Sequence, residues 1–146
     1  MITETAGPLH YGDGYKYVTR FRWWCVTPLA GSAARIEDPD DGEPWVVLKQ
    51  NGLLVIRAGY AWDGASGPTI DSRSSMRASL VHDALYQLLR AGKLSPDARA
   101  AADKLLEDLC VADGMWRWRA RLWWAAVRRW AGYAAKRRAE RTLVAP

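Results

Sequence analysis

Only two histidines occur in the 146-residue chain, and one of them stands where chemistry is possible. His82 precedes Asp83 in Leu80-Val81-His82-Asp83-Ala84-Leu85-Tyr86, a stretch with helical apolar spacing. Adjacent residues on a helix point about 100° apart, so the imidazole and the carboxylate serve different partners. The partner expected for His82 is Asp103, on the same stripe as Leu106 and Cys110 of the next helical segment. Two antiparallel helices joined by a short loop bring Asp103 against His82. A carboxylate there fixes the imidazole tautomer and suits it to general-base work. Tyr86 lies one turn beyond His82 and shares its face. The plainer readings are a histidine that locks two helices together and a core tyrosine with a bonded hydroxyl.

Asp83 is left for a second role. Ahead of its helix runs Asp63-Gly64-Ala65-Ser66-Gly67-Pro68, where glycine lets backbone carbonyls turn inward. Loop carbonyls with nearby carboxylates form a hard oxygen ligand set that suits calcium. The expected ligands are Asp83 and Asp63, with Gly64, Ser66 and Gly67 from the loop. The competing reading is a structural turn closed by an Asx-type bond. A metal phosphohydrolase built on the His-Asp pair needs more ligands, and His10, in a turn-like segment, is the only other histidine.

These residues need elements to carry them. Tyr15 to Val26 is aromatic and β-branched and reads as a strand ended by Pro28. Residues 30–44 are acidic with Pro and Gly, and read as an exposed loop. Trp45–Lys49 and Leu53–Arg57 flank Gln50-Asn51-Gly52, the strongest short-range signal for a β-hairpin. A Gly-rich loop over 59–71 follows. The spacing then predicts a helix from Ser74 to Ala91, with Ser72, Ser74 or Ser75 to cap it and Gly92 to close it. A second helix starts at Ser95-Pro96 and ends near Gly114. A third covers Met115 to Arg141. The fold class is α+β: a small antiparallel sheet with a β-hairpin, followed by three helices, the last one long. The chain reads as a single domain, 1–146. Within it, 1–58 is β-rich, 72–114 is a helix pair with the candidate site, and 115–146 is a Trp/Arg-rich helix.

Charge divides along the same lines. Residues 115–146 hold nine bases and one acid, a charge of +8, and five of the nine Trp; the first 114 hold twelve bases and fifteen acids, −3. Trp116, Trp123 and Trp130 fall on one apolar stripe, expected to be buried, with Arg117, Arg121 and Arg128 outside or at a partner contact. Trp and Arg are enriched at interfaces, which suits self-association through this helix. A phospholipid or membrane surface is the rival partner. Nucleic acid is disfavoured for want of a reading motif. Two cysteines allow at most one bridge and carry no metal-ligand spacing, so reduced thiols are expected. No apolar run approaches the roughly 18 residues of a membrane span, and the N-terminus has no signal-peptide pattern.

The ordered set of motifs resembles the phospholipase A2 superfamily, above all its compact version in parvovirus capsid proteins. Gly67-Pro68 precede the helix, Ser79-Leu80-Val81-His82-Asp83-Ala84-Leu85-Tyr86 lie on it, and Gly92, Pro96 and Ala102-Asp103 follow. The resemblance covers about residues 60–110. It implies that His82 is a general base activating water, Asp83 a calcium ligand and Asp103 the residue that orients His82. It also implies a lipid ester as substrate, with Leu85, Leu89 and Leu105 lining an apolar slot. The loop differs from the superfamily's usual Tyr-Gly-x-Gly run, and the chain is not disulfide-dense. A second resemblance spans the whole chain. Tyr60-Ala61-Trp62-Asp63-Gly64-Ala65-Ser66-Gly67-Pro68, His82-Asp83-Ala84-Leu85-Tyr86-Gln87 and Trp124-Ala125-Ala126-Val127-Arg128 are similar to a family of small tailed-phage and prophage proteins, the domain of unknown function DUF1353. It implies a phage protein, in the bacterial host cytoplasm or the virion. The function expected is calcium-assisted ester hydrolysis with His82 as base. The alternative is a non-catalytic virion, tail or assembly component bound to other phage structural proteins.

Overall fold

A computed structural model describes residues 4–6, 9, 11–12, 17–64 and 72–132. Two antiparallel sheets precede three helices. The strands are β1 (Tyr11–Gly12), β2 (Tyr17–Thr19), β3 (Trp23–Val26), β4 (Ala34–Glu37), β5 (Pro44–Leu48), β6 (Leu53–Ile56) and β7 (Ala61–Trp62). The helices are α1 (Arg73–Arg90), α2 (Ala98–Ala112) and α3 (Arg117–Trp130). The larger sheet has the order β3-β6-β5-β4, and the smaller β1-β2-β7. The architecture is the α+β one expected.

The Asn51-Gly52 hairpin joins β5 to β6 as expected. Gly52 has φ 85°, and a Cβ there would stand 2.6 Å from the Thr27 carbonyl oxygen, so glycine is required by both conformation and space. Pairing in register follows, with Val46 opposite Ile56 and Leu48 opposite Leu54. β3 adds Trp23 opposite Ile56 and Cys25 opposite Leu54. Alternate residues point to one face, so these side chains form the inner surface of the sheet, and all six are buried.

Two β expectations change. The expected strand Tyr15–Val26 is two strands in different sheets, β2 and β3, broken at Arg20–Arg22. The expected loop 30–44 contains β4, which pairs with β5 as Ala34 opposite Leu48 and Ile36 opposite Val46. Ala34 and Ile36 alternate with exposed Arg35 and Glu37. That short alternation is a strand signal, outweighed in the reading by the acidic and Pro/Gly residues around it.

Ser72 caps α1 in a capping box with Ser75. Gly92, at φ 67°, closes the helix by donating its N–H to the Leu89 carbonyl. α2 starts later than expected: Ser95 and Pro96 form a turn, and Asp97 is the N-cap. α3 begins after Trp116, its N-cap, and ends at Trp130 with Ala131 as C-cap. It is therefore 14 residues long against 18 for α1. The rest of the long helix expected from Met115 to Arg141 falls largely outside the described residues. One core joins the inner sheet face to Leu80, Val81, Ala84, Leu85 and Leu88 of α1 and to Leu105, Leu106, Leu109 and Cys110 of α2. Cys25 and Cys110 are both buried free thiols, pushed up to about 12 chiefly by burial. Among the described residues, no helix is long and apolar enough to cross a membrane.

Candidate functional site

α1 and α2 present His82, Tyr86 and Asp103 to one another. The spacing of four residues stacks His82 and Tyr86 on one face of α1, with ring centroids 4.0 Å apart. Asp103 faces them from α2 and is fully buried. His82 Nε2 lies 2.8 Å from Asp103 Oδ1, and the Tyr86 hydroxyl donates to the same oxygen at 2.7 Å. The sequence reading brought these three together, and so does the fold.

Two arginines complete the cluster. Arg128 of α3 donates from Nη1 to Asp103 Oδ2 at 2.8 Å. Arg99, one turn before Asp103 on α2, sits 3.7 Å from the same oxygen and donates to the Tyr86 hydroxyl at 3.1 Å. Its Nη2 also donates to the backbone carbonyls of Val127 and Arg128, at 3.0 and 2.7 Å. Those carbonyls belong to the last turn of α3, and the Val127 carbonyl also accepts the Ala131 N–H at 3.0 Å. Arg99 thus caps α3 while it supports the site. Burial raises the Asp103 carboxyl, but hydrogen bonds from His82, Tyr86 and Arg128 outweigh it and hold the group below the usual carboxylate range. Burial, with the bond to Asp103, pushes the Tyr86 phenol up.

This geometry engages one ring nitrogen of His82. Among the described residues His82 makes its hydrogen bond through Nε2. The other ring nitrogen, Nδ1, is not part of that bond, and the side chain retains 14% exposure.

Asp83 points elsewhere. The Tyr60 hydroxyl donates to its Oδ2 at 2.8 Å. Tyr60 is set by Thr19 at the end of β2: the Tyr60 N–H donates to Thr19 Oγ1 at 3.0 Å, and the Thr19 N–H donates to the Tyr60 carbonyl at 2.9 Å. Two residues on, the buried Trp62 indole donates to Ser79 Oγ at 3.1 Å, so β7 lies along the first half of α1. Burial pushes the Asp83 carboxyl above its usual range, and the nearby negative charge of Asp63 adds to that. Asp63 and Gly64 are described; Ser66 and Gly67 lie outside the described residues. Among the described residues, no group of three His, Cys, Asp or Glu side chains converges as a metal cluster.

Several expectations are corrected. Leu85, Leu89 and Leu105 are buried in the core. Of the Trp stripe, only Trp123 is buried, at 2% exposure, while Trp116 and Trp130 are 72% and 68% exposed. Trp116 precedes the helix, so helical periodicity does not apply to it, and the buried face is Ala120, Trp123, Ala126 and Val127. Arg128 turns inward to Asp103, whereas Arg121 reaches Glu107 at 3.5 Å and stacks on Trp124.

Tyr60, Arg99 and Arg128 are the site residues that the sequence reading missed. Arg99 was findable, because a base four residues before an acid on a helix faces it. Arg128 was hidden in a run of like charges. Tyr60 carried no local signal, since its contact with Asp83 spans 23 residues.

The fold and site define an α+β protein whose helical layer encloses an imidazole–carboxylate pair backed by two guanidinium groups. The chain belongs to the family described as Protein of unknown function (DUF1353), whose model matches residues 42–127. That span contains every residue of the site except Arg128, which lies one position beyond it. No curated protein and no solved structure matches the chain.

Proposed function

We propose that His82 is the general base of a hydrolytic site acting on a lipid ester. The observation that carries this reading is the His82 Nε2–Asp103 Oδ1 contact of 2.8 Å, which leaves Nδ1 to work. In this reading Nδ1 takes a proton from a water as the water's oxygen attacks the ester carbonyl. The same proton then passes to the departing alkoxide as the acyl–oxygen bond breaks. Asp103 holds the ring in place and balances the imidazolium that forms. Tyr86, Arg99 and Arg128 keep Asp103 ionised and oriented. Calcium, held by Asp83 and Asp63 with Gly64, Ser66 and Gly67 of the loop, would polarise the ester carbonyl and balance its developing negative charge. The setting proposed is a tailed phage, in the host cell or the virion.

The test is turnover of a phospholipid with calcium and with a chelator, by the wild type and by His82→Ala. The expected result is calcium-dependent turnover that falls about 10²–10⁴-fold in the variant, with its melting curve close to the wild type. No turnover by a folded wild type, or equal turnover by both proteins, overturns the reading.

A second reading is favoured by the complete burial of Asp103 and its four neighbouring donors. In it the cluster is a clasp that joins the three helices of a non-catalytic virion, tail or assembly component. Its partners are phage structural proteins or a second copy of this chain. That reading expects no turnover, and the protein present in purified particles.

A further inference from the structure

We propose that the outward face of α3 docks on an anionic lipid bilayer. Ala120, Trp123 and Val127 turn this helix toward the core, and its other side is apolar as well. Trp118 and Leu122 are each 60% exposed, and Trp116 and Trp130 at the helix ends are more exposed still. Trp118, Leu122 and Ala125 follow spacings of four and three, which makes one outward stripe. A groove of about 480 Å³ runs beside it between Trp118, Leu122, Ala126 and Trp130.

The helix carries five arginines and no acid. Arg121 lies over the Trp124 ring at 4.0 Å, and Arg129 lies 5.8 Å from the Trp130 ring centroid. Guanidinium groups held on indole faces beside exposed aliphatic side chains match the two layers of a bilayer surface. The arginines meet lipid phosphates, the indoles sit at headgroup depth, and Leu122 enters the acyl boundary. A large exposed apolar patch also calls for a cover.

Other occupants fit less well. A second copy of this chain packed by a two-fold axis would bring α3 against itself, with the arginines other than the inward Arg128 facing their copies and no acid on either α3 to pair with them. A nucleic acid would use the arginines and indoles but has no use for the aliphatic centre of the stripe. The proposal does not depend on His82 being a base, because it is read by binding alone.

The test is co-sedimentation of the whole chain, in chelator, with vesicles of phosphatidylcholine and with vesicles that also contain phosphatidylglycerol. Expected are binding to the anionic vesicles only, a blue shift of Trp fluorescence, and release as salt rises. The variant Trp118→Ala/Leu122→Ala/Trp130→Ala, all at exposed positions, should keep the wild-type melting temperature and bind at least about tenfold more weakly. Arg121→Gln/Arg129→Gln should weaken binding while leaving Trp118 and Leu122 in place. A wild type that stays in the supernatant with anionic vesicles overturns the proposal, as does undiminished binding by both variants. A dimer abolished by the triple variant, without vesicle binding by the wild type, reassigns the face to a second copy.

Discussion

Asp83 and Asp103 are carboxylates of the helical layer, the first half-buried and the second fully buried, and the protein treats them in opposite ways. At the seam of α1, α2 and α3, Asp103 receives His82, Tyr86 and Arg128, with Arg99 beside it, and its carboxyl is held below the usual range. At the seam of α1 and β7, Asp83 receives one phenol, with Asp63 nearby, and its carboxyl is pushed above the usual range. Burial acts in the same direction on both. The difference is made by hydrogen bonds, three to Asp103 with one from a guanidinium, against one to Asp83, where Arg90 acts only through its charge; depth alone does not set the charge state of a carboxylate.

The largest effect expected from this contrast is on stability. Asp103→Ala strands Arg128 and Arg99 near a buried site, and should lower the unfolding free energy by about 3–5 kcal/mol in urea titrations. Asp83→Asn keeps an acceptor for the Tyr60 hydroxyl and should stay within about 1 kcal/mol of the wild type. Equal losses in the two variants would break the comparison.

Next in size is Tyr60→Phe, which leaves the half-buried Asp83 carboxylate without the phenol donor. A loss of about 1–3 kcal/mol is expected in the same titrations. Combined with Asp83→Asn the loss should shrink, since the stranded charge is gone. Strict additivity would mean that the hydroxyl acts on something other than Asp83.

The pH dependence separates the two groups by sign. The stability from Asp103 is present above the unfolded carboxylate pKa of about 3.9 and is lost as pH falls through its lower folded value. The folded pKa of Asp83 is raised, so its favourable contribution is complete below the unfolded value and is lost as pH rises through the folded one. In chelator, Asp83→Asn should therefore gain on the wild type between acid and neutral pH. Melting curves of both proteins across that range check this, and parallel curves would remove the raised carboxyl from the account.

The smallest effect belongs to Lys104, the neighbour of Asp103 on α2. Its ion pairs with Glu107 and Asp108 reach the surface, and the side chain is 54% exposed. Lys104→Ala should change stability by less than about 0.5 kcal/mol, which thermal melts can bound. A larger loss would show that position along α2, and not burial and partners, makes Asp103 special.

Much of this was legible in the chain alone. Asn51-Gly52 between apolar runs determined the hairpin, because only a turn with positive φ joins such strands so tightly. The serines at 72–75 and Gly92 bounded α1 to within a residue, since capping is local chemistry. The meeting of His82, Tyr86 and Asp103 was also readable, because helical periodicity sets faces and a short loop sets the antiparallel approach. Other features depend on contacts between residues far apart in sequence. Arg128 reaches Asp103 across 25 residues and Tyr60 reaches Asp83 across 23, and no local pattern encodes either. The Trp stripe failed for a related reason. Periodicity states which residues share a face, but packing decides which face turns inward and where the helix begins, so Trp123 is buried and Trp116 is not.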